Sequence, residues 1–226
     1  MVQAILRNST ETIDFSNQFS KEQQEAIISF LAKYIAASKV STNSINAFLS
    51  ALLSMNQLCT AEDLFDRLIS ESFSVSPTYL SYTIMIIGLI RLQKLWHQIH
   101  KEAILVDHIE ALVEKSLIAQ CPPSQACMSE ILEFYKSKLA LHKMDKLLRR
   151  CKEASEVLKA SGNNQIVIIT ETQLSIYIHA LIEAKLYTQV EDVFKNMEAN
   201  YGIVPGINCI NNLIKTFVVT NNLANV

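Results

Sequence analysis

Glycine and proline are scarce, four of each in 226 residues. A chain so poor in both has few tight turns to spend on phosphate-cradling loops, doubly wound sheets or long irregular connections. There is no marked excess of either charge: the net charge of −2 argues against a uniformly basic surface for nucleic acid. The five cysteines are odd in number and include no CxxC spacing, as suits a reducing compartment and small buried side chains. A structural disulfide or metal pair at Cys121 and Cys127, around Pro122-Pro123, is not expected. The most apolar run, ending at Ile90, falls short of the ~18 residues a membrane span needs. Met1 to Thr12 carries one arginine and Glu11, which does not make a secretory signal or a mitochondrial presequence. Nucleophile elbow, HExxH, P-loop and tight acidic cluster are all missing, so no catalytic role and no cofactor are expected.

What remains is hydrophobic residues, 50% of the chain, arranged with helical period. The clearest stretch runs from Thr170 to Gly206. Leu174, Tyr177, Ile178, Leu181 and Ile182 share one helical face; Leu186, Val190, Val193, Phe194 and Met197 form a second. Thr170 with Gln173 makes a capping box, and Gly202 with Pro205 ends the second helix. The result is a helical hairpin with one apolar side still uncovered.

Phe194, Met197 and the ending Tyr-Gly-Ile-Val-Pro at 201–205 resemble the pentatricopeptide repeat. The tetratricopeptide unit has nearly the same period but lacks this ending. The resemblance implies an all-α fold, an α-solenoid of antiparallel two-helix repeats. It also implies binding of single-stranded RNA in an organelle, with the mitochondrion as the expected location, in transcript stabilisation, processing or translation.

Further units follow the same plan. Residues 1–41 are a leading segment with one helix, opened by a capping box of Ser20 and Gln23. Repeat units are expected at about 42–77, 78–120, 124–162 and 170–206, with a half unit at 207–226. Ala61, Leu64 and Phe65 are similar to the family's second helix, where a small residue lets two backbones approach. Ser76-Pro77 predicts a helix start, with proline in the first turn. The region Trp96 to Gln120 is too long for one standard second helix and predicts two helices or a kinked one. Ile166 to Ile169 is too short and isolated to seed a sheet. Phe65 and Phe194 are expected to be buried at equivalent places.

In this family a polar side chain in the first turns of each first helix reads a base, together with one at the unit's end. Carried over by position, the base-reading residues are Asn46, Thr83, Ser129, Ser175 and Asn211. The unit-end residues Thr78, Thr170 and Gly206 depart from the family's usual Asp or Asn. Read simply as residues, Ser, Thr and Asn also start helices well.

Eight of the twenty Lys and Arg residues lie between Lys136 and Lys159. Lys143, Lys146 and Arg150 recur on one helical face with Arg149 beside them, candidates for phosphate contacts or an ordinary solvated face. His97-x-x-His100, with Asp107 and His108 further on, lacks the spacing of a metal site, and no metal is expected. Tyr82 and Trp96 are candidates for base stacking or for core. The alternative to RNA binding is a protein–protein scaffold. A protein partner would then sit in the groove or at the open ends of the repeat array.

Overall fold

The structure, a computed structural model, describes residues 20–36, 41–70, 75–96, 102–160 and 169–220. Among the described residues there are eleven helices and no strand. The all-helical expectation therefore holds. The chain divides into two compact units, Met1–Ser76 and Pro77–Val226.

The first unit holds α1 (Lys21–Ala36), α2 (Thr42–Ser54) and α3 (Leu58–Ile69). The predicted capping box opens α1: the Gln23 side chain accepts the Ser20 N–H and the Ser20 hydroxyl accepts the Gln23 N–H. Helices α2 and α3 pack as a hairpin, and α1 packs on α3. Their core is Ile45, Leu49, Leu52, Leu64, Phe65 and Leu68, closed around Ala61, which is wholly buried. A methyl side chain there leaves room for close packing against α2.

The second unit holds α4 (Tyr79–Trp96), α5 (Glu102–Ile118), α6 (Gln125–Ser137), α7 (Leu141–Ala160), α8 (Glu171–Glu183), α9 (Tyr187–Lys195), α10 (Met197–Tyr201) and α11 (Ile207–Thr220). Helix pairs α4/α5, α6/α7 and α8/α9 pack as hairpins. The first helices also pack on one another in order, α4 on α6, α6 on α8 and α8 on α11, and α5 packs on α7.

One turn closes three of the hairpins. After α2, α6 and α8 the second residue past the helix, Asn56, Leu139 or Lys185, has φ of 59°, 51° and 61°. In each case the next N–H returns to a carbonyl five residues back: Gln57 to Leu52, Ala140 to Tyr135 and Leu186 to Leu181, at 2.8–2.9 Å. This is a Schellman closure made without glycine, and the left-handed residue bears the strain of its Cβ. Leu139 is exposed and gains little from packing. Replacing Leu139 by Gly should therefore raise stability by about 0.5–1 kcal/mol, read as a higher urea midpoint with unchanged slope.

Several boundaries differ from the sequence reading. Helix α4 begins at Tyr79, with Thr78 as its cap: the Thr78 N–H donates to the Ser81 hydroxyl at 3.0 Å. Pro77 precedes that cap, where its missing N–H is not needed. Among the described residues of 96–120, α5 spans Glu102–Ile118, and 97–101 lie outside the described residues. Phe65 is buried as expected, but Phe194 is only half-buried. The second helix of that hairpin breaks at Asn196, whose side-chain amide donates to the Asp192 carbonyl. After the break Met197, not Phe194, fills the core. Gly202, at φ 67°, ends α10 as expected. The stretch 166–168 lies outside the described residues.

Candidate nucleic-acid interface

The five first helices share one starting geometry. The cap residues are Ser41, Thr78, Ser124, Thr170 and Gly206, and each cap carbonyl accepts the N–H four residues on, at 2.8–3.3 Å. Counted from these caps, Asn46, Thr83, Ser129, Ser175 and Asn211 each occupy the fifth position. The base-reading residues inferred from sequence thus occupy one structural station, a register fixed by hydrogen bonds rather than by alignment.

Their surroundings differ. Asn46 is buried at 3% exposure. Thr83 is half-buried; it lies against the Cys127 thiol, and its hydroxyl makes no stronger hydrogen bond. Ser129 accepts a hydrogen bond from the Gln173 amide at 2.9 Å and gives its own proton to the Gln125 carbonyl. Ser175 accepts from the Asn212 amide at 3.2 Å. Asn211 is exposed. So Ser129 and Ser175 help to join successive first helices, and Asn211 is the most accessible of the five.

Gln173 shows how caps and lateral packing combine. Its side-chain oxygen accepts the Thr170 N–H at 2.8 Å, and its NH2 donates to Ser129 and to the Gln125 carbonyl of α6. It is fully buried with both ends of its amide used, so it costs little to bury. At the next helix Gly206 has no side chain to act as cap. The Glu171 carboxylate of α8 reaches across and accepts the Cys209 N–H at 3.4 Å. A Cβ on residue 206 would run into that carboxylate. Unit-end positions Thr78, Thr170 and Gly206 are therefore all engaged in starting helices.

The basic residues lie elsewhere, on α7, and most of them face α5. Lys143 donates to Glu110 at 2.8 Å and Asp107 at 3.3 Å. Lys146 pairs with Glu110 at 2.5 Å and Glu114 at 3.9 Å. Arg150 binds Glu114 at 3.1 Å and Glu153 at 3.0 Å. Arg149 binds Asp145 on its own helix at 2.7 Å and is the most exposed of the four. Asp107, Glu110 and Glu114 thus form an acidic row that matches Lys143, Lys146 and Arg150 in spacing. The spacing i, i+3, i+7 is legible in both segments; reading the cations alone hides the pairing. Hydrogen bonds from Lys143 and Lys146 hold the Glu110 carboxyl below its ordinary range despite partial burial. Burial pulls the Lys143 ammonium down, but hydrogen bonds to Glu110 and Asp107 outweigh it and raise the net value.

Other candidates close differently. Tyr82 is buried, which pushes its phenol up with a further contribution from Cys121, and a buried ring offers no face to a base. His97 and His100 lie outside the described residues, and the Trp96 side chain is likewise not described. Among the described residues no group of three His, Cys, Asp or Glu is placed to hold a metal. None of the five cysteines is in a disulfide. Burial raises the Cys127 and Cys151 thiols to about 12 and Cys209 to about 11, values of inert core residues rather than nucleophiles. Among the described residues no helix is long and apolar enough to cross a membrane.

Comparison with protein-family models and with curated proteins finds no match to this chain.

Proposed function

We propose that this chain is a non-catalytic RNA-binding adaptor of the pentatricopeptide type, its hairpins forming an α-solenoid that holds single-stranded RNA. The observation that carries this reading is the shared fifth station, which Asn, Thr or Ser occupies in all five first helices counted from equivalent caps. A small donor–acceptor side chain recurring at one station, unit after unit, is the arrangement a one-base-per-unit reader requires. Asn211 offers both a donor and an acceptor and is exposed. Phosphate contacts fall to Lys146 and Arg149, the more exposed members of the basic cluster, with Lys143 and Arg150 behind them. The mitochondrion is the proposed location, by resemblance to the family.

A second reading, a protein–protein scaffold, is favoured by one specific observation. The cations of α7 are already matched by carboxylates, mainly from α5, which lowers the positive potential available to RNA. Titrating labelled random single-stranded RNA at low and at moderate salt separates the two. RNA binding should be measurable at low salt and fall steeply as salt rises, because each phosphate contact releases a counterion. Lys146→Glu with Arg149→Glu should weaken all sequences alike and flatten that dependence. Absence of binding at low salt would leave the scaffold reading.

A further inference from the structure

Helix α7 carries two charged faces that differ in how their cations are matched. On the first, Lys143, Lys146 and Arg150 meet four carboxylates, Asp107, Glu110, Glu114 and Glu153. On the second, Asp145, Arg149 and Lys152 follow one another at i, i+4 and i+7. Arg149 is 66% exposed and has one carboxylate, Asp145 at 2.7 Å. Lys152 has no carboxylate partner among the described residues; its ammonium stands 6.0 Å from the ring centroid of Tyr201. The first face is therefore balanced or slightly acidic, and the unmatched positive charge of α7 lies on the second.

Two phenols border that second face. Tyr177 of α8, a helix packed on α7, is buried, and Tyr201 at the end of α10 is half-buried. Burial raises both phenols, Tyr177 to about 12. Asp145 raises each further and Arg149 lowers it, so both rings lie within electrostatic reach of that ion pair. Each hydroxyl keeps its proton at neutral pH and can donate it. Beside Tyr201, Gly202 has no heavy atom of the described residues within 4 Å of where a Cβ would stand, which leaves open space.

We propose that Arg149, Lys152 and the Tyr201 hydroxyl form a contact site for a backbone phosphate of single-stranded RNA. Lys152 is its principal cation, a residue that the row Lys143, Lys146, Arg150 leaves out. An approaching phosphate has no carboxylate to displace at Lys152, whereas at Lys146 it competes with Glu110 and Glu114. The Tyr201 ring attracts the ammonium through its quadrupole but carries no net charge, so it positions the cation without neutralising it. Arg149, with one carboxylate partner, has further N–H groups to donate. The proposal rests on the RNA reading and specifies where the chain holds a phosphate.

The test is anisotropy of labelled random single-stranded RNA with the full chain at several salt concentrations. Lys152→Ala should weaken binding about fivefold at low salt and reduce the slope of log affinity against log salt by about 0.7, one single-strand phosphate contact. Lys152→Arg should stay within about twofold of wild type, and Tyr201→Phe should lose about threefold, one hydrogen bond. Arg67→Ala removes the same charge from α3 of the first unit and should change affinity by less than about twofold. Melting temperatures should stay within a few degrees throughout. Equal losses in Lys152→Ala and Arg67→Ala, or an unchanged salt slope in Lys152→Ala, would overturn this site and leave the RNA reading standing. A wild type that binds no RNA at low salt would overturn both.

Discussion

Replacing Phe65 by Ala is expected to destabilise the first unit by about 3–5 kcal/mol, the usual range for removing a fully enclosed ring. Phe65 is 1% exposed, and Leu49, Leu52, Leu64 and Leu68 are among the other large buried side chains of α2 and α3, in a unit of only three described helices. So small a core has few neighbours able to close the resulting cavity. Phe194→Ala should cost roughly 1–2 kcal/mol, because that ring is half-buried and less cavity is left behind. Chemical denaturation followed by circular dichroism, with wild type and both variants side by side, reads the difference. Equal losses at the two positions would mean that the break at Asn196 does not displace Phe194 from the core.

The second large effect is expected at Glu110. Its carboxylate takes both Lys143 and Lys146, and its side chain is 27% exposed against 16% for Lys143. Glu110→Lys would set three ammonium groups together and leave Lys143 half-enclosed without its nearest counter-charge. The loss should be about 2 kcal/mol, between the values for exposed and fully buried pairs. Adding Lys146→Glu to that variant should restore part of it, as coupled neighbours do. The pH dependence has a definite sign. The Glu110 carboxyl is held low in the folded state by hydrogen bonds from Lys143 and Lys146. Its contribution is therefore present above the unfolded carboxylate range and is lost as pH falls through the folded value. The wild type should lose stability over that acid interval, and Glu110→Gln should lose less of it. A pH profile identical in the two proteins would show that the α5–α7 charge row contributes nothing to stability.

Local signals carried most of the fold. The Ser20 and Thr170 capping boxes, the Gly202 stop and the apolar stripes of α2, α6 and α8 lie within one or two helical turns in sequence, and periodicity and capping chemistry read such distances well. What escaped depended on partners distant in sequence. The acidic row on α5 lies 33–36 residues from the cations it matches, and only the packing of α5 on α7 makes them one feature. Phe194 fits its stripe until Asn196 breaks the helix, and asparagine inside an amphipathic run is a weak warning. The left-handed closures at Leu139 and Lys185 carry no glycine to announce them. Of the candidate site, the station was legible and the environment was not. Asn46, Ser129 and Asn211 are alike as residues, yet one is buried, one joins two helices and one faces outward.

Asn211 therefore offers the most direct test of RNA reading. The full chain and its Asn211→Ala variant would each be used to select from a randomised single-stranded RNA pool, sequenced before and after binding at low salt. The account predicts enrichment of a particular base at one position with the wild type. That preference should flatten in the variant while total RNA retained changes by less than about threefold, since phosphate contacts persist. A wild-type protein that retains no RNA above background, or an enriched motif that survives Asn211→Ala unchanged, would contradict it.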